Sequence, residues 1–411
     1  MEYFKNDRKR RRPEGDSRVV VASTRDALSC FSGWCGRMKV AILTSGRFHV
    51  CDLARELSAC GHDVAFYSLV PPWRTRRFGL PWKCNRWLGA DLSLRMRWIT
   101  SLPPGEQEPA QEWLTEALDR RAARVIERCD LFIGMAGLST AAAEAVRQKY
   151  GAKVWIERGS RHIESQREIL EGLPRPSGAP LPVSSFTVRR NLEEYERADI
   201  VVVPSRQAQR SFTERGFPDQ RLFRNPYGVD LSMFPPTATP PQPWAILMAG
   251  TWSLRKGCDV LVEAWGELAG VELVHVGPVT DARLPNAQGF RHYDAVPQAE
   301  LWRFYGRAHV FALASREEGL ALVQAQALSS GLPIVCTDRT GGEDLRDFVR
   351  DPSLISVVPP DDPAAFRSAL EFALSRYGSL AGPRDFLGAD RSLLSWAAYG
   401  ERYHRAILER V

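Results

Sequence analysis

Short apolar segments alternate with longer segments of helical pattern, and this alternation runs along the chain twice. In the first run, β-strands are predicted at 38–44, 63–68, 131–134, 154–157 and 200–203. After a proline-rich stretch at 235–243, strands are predicted again at 245–249, 271–276 and 309–314. Buried strands that alternate with helices form parallel, doubly wound sheets, whose ligands bind at the carboxyl ends of the strands. We therefore predict an α/β protein with two Rossmann-like domains that face a central cleft.

The same pattern sets the expected domain boundaries. We predict an extension at 1–37, an N-terminal domain at 38–234, a linker at 235–243, a second domain at 244–385 and a final helical segment at 386–411. Residues 1–37 carry a basic run, Lys9–Arg12, and little periodicity. We expect them to be disordered, with translation normally starting at Met38. The alternative is a basic tail that binds a membrane or a partner.

Composition excludes several classes of protein. The length of 411 residues suits two domains, and 44% hydrophobic with 25% charged residues is ordinary for a globular protein. No apolar run approaches the roughly 18 residues of a membrane span, and no secretory signal is visible. The eight Cys are scattered, which predicts free thiols in the cytosol and no zinc site. The net charge of +6 allows an anionic partner, but no nucleic-acid-binding module is recognisable.

The stretch 315–342 carries the most specific pattern in the chain. Glu317, Glu318 and Gly319 precede an apolar helix that ends at Gly331, and a short strand follows. The first amides of a helix have no intrahelical partner and carry partial positive charge, so they suit a phosphate. Gln326 lies eight positions after Glu318, which is roughly 12 Å along a helix. That is about the reach of a nucleotide diphosphate sugar, so the helix is a candidate clamp for such a ligand.

This stretch resembles the carboxyl-terminal motif of the retaining glycosyltransferases of family 4, which have the two-domain GT-B fold. The matching residues are Glu318, Gly319, Gly331, Pro333, Thr337, Gly341 and Gly342. Gln326 stands where the family has a second Glu; counting from Glu317 places Ala325 there, so Glu318 gives the better register. The resemblance implies that the first domain binds the acceptor and the second binds the donor. It also implies that the final helix packs back on the first domain.

The resemblance further implies a donor site. The loop Gly250–Gly257 resembles the phosphate-binding loop of the family, with Lys256 on its lysine; Thr251 replaces the usual Arg, and Arg255 is a candidate to supply that charge. Glu318 then holds hydroxyls of the transferred sugar, and Gln326 meets the ribose diol. The remaining donor-binding candidates lie in strand–helix turns: Ser45, Gly46, Gly250, Gly319, Leu320, Ala321, Leu322 and Val323.

Two segments of the first domain are candidates for the other side of the cleft. Arg158, Ser160 and His162 follow a predicted strand and are candidates to face the cleft. Many relatives place a His one strand earlier, where this chain has none, so His162 is a candidate for that catalytic contact; a structural or solvent-facing role is the alternative. The segment Asn225–Asp230 resembles the family's stretch before the interdomain link and is expected to line the floor of the cleft.

Tryptophan and basic residues interleave in the segment 71–99. They are Trp73, Trp82, Trp87 and Trp98 with Arg74, Arg76, Arg77, Lys83, Arg86, Arg95 and Arg97. Such mixing suits an anionic bilayer surface, where each basic residue contributes about 1 kcal/mol. Nucleic acid and a plain solvated surface are the alternatives. For a glycosyltransferase, a lipid-linked acceptor at the inner face of the cytoplasmic membrane explains the segment best.

Taken with the resemblance, the sequence predicts a metal-independent retaining glycosyltransferase with no bound cofactor. Its expected partners are a nucleotide sugar donor, a saccharide or lipid-linked acceptor and an anionic membrane, but not nucleic acid. Cell-surface polysaccharide or lipopolysaccharide assembly is the expected pathway, and the cytoplasm the expected location. Two alternatives stay open: a catalytically impaired regulatory protein that binds nucleotide sugars, since Thr251 and Gln326 depart from the family, and a nucleotide-sugar 2-epimerase.

Overall fold

The computed structural model describes residues 36–175, 181–380 and 382–411. The expected extension at 1–37 therefore lies almost entirely outside the described residues. Among the helices of the described ranges, none combines the length and the apolar character that crossing a membrane requires.

The first run of strands forms a single sheet. It comprises β1 (Lys39–Leu43), β2 (Asp63–Ser68), β3 (Asn85–Trp87), β4 (Leu131–Met135), β5 (Lys153–Glu157), β6 (Ile200–Val203) and β7 (Leu222–Arg224). The seven strands are parallel and lie in the order β3-β2-β1-β4-β5-β6-β7. Ile42 of β1 is paired with Phe66 of β2 and Ile133 of β4, and all three are fully buried. The order reverses between β1 and β4, which is where ligands bind in such sheets.

The second run forms another parallel sheet. Its six strands are β8 (Ala245–Ala249), β9 (Glu272–Val276), β10 (Phe290–Tyr293), β11 (Val310–Leu313), β12 (Ile334–Thr337) and β13 (Ile355–Val358). They lie in the order β10-β9-β8-β11-β12-β13, with the reversal between β8 and β11. Strands β8, β11 and β12 are buried along their whole length, as apolar strands covered on both faces must be.

Helices connect these strands and cover the sheets. They are α1 (Phe48–Ala59), α2 (Pro72–Thr75), α3 (Ala90–Ile99), α4 (Pro104–Val125), α5 (Thr140–Tyr150), α6 (Ile163–Glu171), α7 (Ser185–Arg197), α8 (Arg206–Thr213), α9 (Cys258–Gly266), α10 (Trp302–Tyr305), α11 (Leu322–Ser329), α12 (Gly342–Leu345), α13 (Pro363–Tyr377) and α14 (Trp396–Arg410). The last helix, α14, packs on α1: Gly400 lies against Glu56, and His404 Nδ1 is 2.8 Å from His62 Nε2.

The two sheets confirm the predicted α/β architecture, with corrections to individual elements. β3 and β7, of three residues each, were too short to predict as strands. β10 and β13 were also missed: they are the edge strands of the second sheet, and most of their residues are exposed or half-buried, so they lack the continuous apolar run of the buried strands. The sequence pattern at 298–308 also predicts a helix, but the segment forms only a 3-10 turn, Gln298–Glu300, followed by the short α10, which ends before Gly306. The helix expected to open at Leu320 begins instead at Leu322.

The two halves meet through loops at the carboxyl ends of their strands, and Met38–Val411 forms one unit. The carboxylate of Asp344, fully buried, accepts a hydrogen bond from the Arg206 amide at 2.9 Å and contacts the Arg224 guanidinium. Gln207 Nε2 donates to the Gly319 carbonyl at 2.8 Å. These buried polar contacts hold the second half against the first on one side of the cleft.

Candidate active site

A cavity of about 1090 Å³ lies between the two halves. The first half lines it with Arg47–His49 after β1 and Glu157–Ser160 at the end of β5. The second half lines it with Gly250, Lys256 and residues that open α11, and the segment 227–233 completes the lining. Both sheets thus direct the carboxyl ends of their strands at one space, which is where a ligand of a doubly wound protein binds.

Lys256 and Glu318 meet on the wall of the second half. Lys256 Nζ donates to Glu318 Oε1, and the Ser315 hydroxyl donates to the same oxygen at 3.3 Å. Only 12% of the Lys256 side chain and 11% of the Glu318 side chain are exposed. Both residues line the cavity, so a bound ligand can exchange contacts with either charge. Glu317 does not line it, which supports the register that starts from Glu318.

The start of α11 also faces the cavity, with unpaired amides. Leu320, Ala321, Leu322 and Val323 line the cavity. The amide of Ala321 donates to the Thr340 carbonyl at 3.2 Å, so it is not a free donor, contrary to the sequence-based expectation. The helix begins at Leu322, so the Leu322 and Val323 amides precede any intrahelical partner. These amides present partial positive charge to the cavity beside Lys256.

Gln326 lines the same wall one turn further along α11. It is 4% exposed, and its Oε1 accepts a hydrogen bond from the Tyr305 hydroxyl at 3.1 Å. Tyr305 is itself fully buried. One of the two lone pairs of Gln326 Oε1 is therefore already used.

Family models match both halves of the chain. The model described as "Glycosyl transferases group 1" matches residues 243–376, and the "Glycosyl transferase 4-like domain" matches residues 46–228. The first match includes Lys256, Glu318 and Gln326. The chain belongs to the family 4 glycosyltransferases. Its enzyme class is thereby glycosyltransferase, as the motif at 315–342 predicts.

Solved structures share the fold of this glycosyltransferase. A sucrose-phosphate synthase from Thermosynechococcus elongatus aligns with a TM-score of 0.64 at 18% identity, over 91% of this chain and 99% of that one. The lipopolysaccharide outer core galactosyltransferase WaaB aligns with 0.62 at 14%, over 91% and 100%. Anabaena HepE, in complex with UDP-glucose, aligns with 0.59 at 12%, over 91% and 100%. These alignments confirm the GT-B fold. No curated protein sequence matches the chain.

Arg255 occupies a different position from the one its predicted role requires. Its Nη1 donates to Glu317 Oε2 at 2.7 Å, and it does not line the cavity. Glu317 is fully buried and also accepts hydrogen bonds from Ser160 and Gln166 of the first half. The charge of Arg255 is thus neutralised within a contact between the halves.

Of the two predicted glycine turns, at Ser45–Gly46 and at Gly250–Thr251, only Gly250 lines the cavity. Gly250, with φ +132°, lines the cavity, whereas Thr251 does not. Ser45 and Gly46 are also absent from the lining; a Cβ on Gly46 would lie 3.0 Å from the ring of Phe48, which does line it. Gly319 faces the first half, since a Cβ there would lie 1.9 Å from the Gly159 carbonyl oxygen. Gly319 therefore serves close approach of the halves, and only Gly fits.

His162 lies away from the cavity, so its predicted catalytic role does not fit the structure. It is 5% exposed, and its Nδ1 accepts a hydrogen bond from the Glu164 amide at the start of α6. Its ring packs against Tyr195 and Phe212. Burial and then nearby Arg215 lower its pKa to about 4. Arg158 and Ser160, from the same predicted segment, do line the cavity.

The sequence interpretation did not assign a role to two residues that line the cavity, His49 and Glu157. His49 Nε2 lies 3.0 Å from Glu157 Oε2, and both residues line the cavity. A signal was present: His49 follows the turn at Ser45 and Gly46, and Glu157 ends β5. Carboxyl ends of parallel strands share one sheet edge, so polar residues at both are expected to meet.

Proposed function

We propose that this glycosyltransferase transfers a sugar from a nucleotide-diphosphate sugar, with retention of configuration, to a saccharide or lipid-linked acceptor. The observation that carries the proposal is the convergence of Lys256, Glu318 and the free amides of Leu322 and Val323 on one cavity wall. This wall offers positive charge for a diphosphate and a carboxylate for sugar hydroxyls within a single ligand length.

The roles follow from charge. As the bond to the sugar breaks, negative charge grows on the departing diphosphate, and fixed donors stabilise that charge. Lys256 and the opening amides of α11 are such donors, and no bound cofactor or metal is part of the proposal. Glu318, held by Lys256 before the donor binds, is freed to accept hydrogen bonds from hydroxyls of the transferred sugar. Gln326 meets the ribose.

Two solved neighbours support a nucleotide sugar as the donor. Anabaena HepE is in complex with UDP-glucose, and a pneumococcal O-GlcNAc transferase, GtfA, is in complex with UDP and GlcNAc.

A surface beside the cavity supports a lipid-borne acceptor. Trp73, Trp82 and Trp98 are 57%, 60% and 57% exposed, among the basic residues of 71–99. Arg77 and Phe78 of the same segment line the cavity. We propose that this surface rests on the inner face of the cytoplasmic membrane and that the enzyme acts in cell-surface polysaccharide or lipopolysaccharide assembly.

The test is an assay of purified protein with UDP-, GDP- and ADP-sugars and a membrane lipid extract. We expect nucleotide release coupled to labelled product. Glu318→Ala and Lys256→Ala should each lower transfer by about a hundredfold, since the first removes the acceptor for the sugar hydroxyls and the second removes a charge that stabilises the departing diphosphate. Glu263→Ala, an exposed carboxylate of α9, is the matched control and should retain activity. Undiminished transfer by Glu318→Ala would refute the assignment, and donor binding without turnover would point to a regulatory protein.

A further inference from the structure

A histidine and a buried carboxylate form a pair on the cavity wall of the first half. Glu157 is 2% exposed, and the His49 side chain is 7% exposed. The Nε2 and Oε2 atoms are 3.0 Å apart, although the residues are 108 positions apart in the sequence. His49 belongs to the first turn of α1, and Glu157 is the last residue of β5. The fold therefore builds this pair at the edge where the ligand site lies.

The pair fixes the tautomer of the neutral imidazole. An ionised carboxylate only accepts hydrogen bonds, so the neutral His49 ring carries its hydrogen on Nε2 and a lone pair on Nδ1. Among the described residues, no hydrogen bond to Nδ1 is formed, and Nδ1 is not among the buried atoms without a partner. The Tyr227 ring lies 4.4 Å from the His49 ring and restrains its tilt. His49 thus presents a fixed acceptor nitrogen to the cavity.

His49 lies close to the cavity wall that Lys256, Glu318 and the start of α11 form, called the donor wall below. A Cβ on Gly159 would lie 4.0 Å from the Cε1 atom of His49. The carbonyl oxygen of Gly159 in turn lies so close to Gly319, the residue after Glu318, that a Cβ on Gly319 would be 1.9 Å from it. One glycine therefore separates His49 from the start of the donor wall. A group bound by His49 lies beside the position that Glu318 gives the transferred sugar.

The environment of Glu157 keeps its carboxylate in place beside His49. Glu157 Oε1 is buried, and the carboxylate interacts with the buried hydroxyl of Tyr403 on α14. Glu157 is therefore held between Tyr403 and His49, and Oε2 remains directed at the imidazole. Phe48, the residue before His49, has a φ of +36° and is 55% exposed in the cavity wall. Strain of this kind collects at functional sites.

We propose that His49 Nδ1 binds and orients the attacking hydroxyl of the acceptor, and that Glu157 positions His49 for this task. The inference rests on the proposed transferase function and adds the chemical class of the nucleophile. A lone pair on Nδ1 attracts an O–H donor and repels an anionic oxygen. The nucleophile is therefore a neutral hydroxyl, as in a saccharide, and not a phosphate or carboxylate oxygen.

Two His49 variants separate this role from a structural one. The side-chain NH2 of Gln lies near the position of Nε2 of His, so His49→Gln keeps the contact with Glu157 but has no acceptor at the position of Nδ1. Asn places an oxygen near Nδ1, so His49→Asn keeps an acceptor there and loses the contact with Glu157. If the pair were only structural, His49→Gln would behave as wild type and His49→Asn would be destabilised.

The assay uses labelled UDP-glucose, UDP-galactose and GDP-mannose as donors. The acceptor probes are p-nitrophenyl α-D-glucopyranoside, p-nitrophenyl β-D-galactopyranoside and a lipid extract of bacterial membranes. With the donor and acceptor that wild type uses, we expect His49→Gln to raise the KM for the acceptor about tenfold. The KM for the donor, the rate of donor hydrolysis and Tm should not change. A tenfold change is about 1.4 kcal/mol, near the upper range for one hydrogen bond. His49→Asn should recover part of the acceptor affinity.

Each outcome decides the matter. An unchanged acceptor KM in a folded His49→Gln protein overturns the inference and leaves the transferase proposal standing. No transfer by wild type to any probe overturns both. Should His49→Gln fail to fold, long-range ¹H–¹⁵N spectra of wild type, with its seven His, give a second readout. The His49 signals, assigned by their loss in His49→Asn, should show hydrogen on Nε2; hydrogen on Nδ1 contradicts the inference.

Discussion

At the scale of single residues, Gln326 is the departure from the family with the clearest consequence. The Tyr305 hydroxyl donates to its Oε1. A carboxylate at this position would have a second oxygen free to accept a charge-assisted hydrogen bond from a ribose hydroxyl. Under the proposed function, we therefore expect Gln326 to make a weaker contact with the donor than a Glu would make.

Replacing Gln326 by Glu should therefore tighten nucleotide binding. A charge-assisted hydrogen bond exceeds a neutral one by about 1 kcal/mol, so we expect Gln326→Glu to lower the Kd about fivefold. Isothermal titration calorimetry with UDP, GDP and ADP measures this. Gln326→Leu, which cannot hydrogen-bond, is the control and should weaken binding. Weaker binding by Gln326→Glu than by wild type would show that the ribose lies elsewhere.

Residue patterns predicted which charged residues meet on the donor wall, but not which of its hydrogen-bond donors already have partners. Glu318 and Lys256 are brought together as their motifs indicate, 62 positions apart in the sequence. The amide of Ala321 and the guanidinium of Arg255 are each taken by a partner that the local sequence does not show. Thr340 binds the first and Glu317 the second. Local motifs specify residue types, but competition among neighbours for hydrogen bonds is settled only in the folded chain.

At the scale of elements, the segment 71–99 folds into α2, β3 and α3; it buries Leu80, Leu88, Leu92 and Ile99 but leaves its Trp side chains exposed. Leu94 is 63% exposed, and the Trp73 and Trp87 rings meet edge to face with centroids 5.8 Å apart. Phe78, three residues after α2, ties this segment to the cavity, because the Arg47 guanidinium lies 3.7 Å from the centroid of the Phe78 ring. A surface this apolar and basic favours an anionic bilayer.

We expect the chain to bind anionic vesicles through this surface. In sedimentation with phosphatidylcholine vesicles that contain phosphatidylglycerol, the triple variant Trp73→Ser, Trp82→Ser, Trp98→Ser should bind at least about tenfold less, a loss of about 1.4 kcal/mol. Trp302→Ser is the matched control, because Trp302 is 41% exposed on α10 of the other half. Equal binding by the triple variant and the control would remove the membrane from the proposed function.

Element by element, long periodic segments were predicted well and short ones were not. The core strands β1, β2 and β8 lie where alternation places them, within a residue or two. β3 and β7 contain three residues each, too few for a periodic signal. Such edge strands exist because a neighbouring strand offers its backbone groups, and that information lies elsewhere in the chain.

At the scale of the whole molecule, the sequence predicted two halves but not how they close. Asp344 with Arg224, and Gly319 against Gly159, join residues more than a hundred positions apart. Within the first half, the contact of His49 with Glu157 likewise joins residues 108 positions apart, because β1 and β5 end at the same edge of the sheet. Long-range pairs of this kind carry no local pattern.

Buried histidines couple the stability of the whole molecule to pH. Burial is the main cause that lowers the pKa of His62, His162 and His275 from 6.5 to about 4. Between these values the unfolded chain binds protons that the folded chain does not, so stability falls as the pH falls. Glu194 acts in the opposite direction, because burial raises its pKa to about 7. His309, whose pKa burial also lowers, acts with these histidines, and Asp344, whose pKa burial raises, acts with Glu194. The histidines outnumber the carboxyl groups, which leaves a net loss of stability on acidification.

We therefore expect Tm to fall by about 5 °C or more between pH 6.5 and pH 4.5. His162→Asn should reduce this slope, because it removes one of these histidines while Asn remains a good N-cap for α6. Differential scanning calorimetry across the range measures the slope, and the transfer assay measures activity in the same variant. Full activity is expected, because His162 lies away from the cavity. A folded His162→Asn protein without activity would return His162 to the catalytic role for which the sequence made it a candidate. An unchanged slope would show that folding does not lower the pKa of its imidazole.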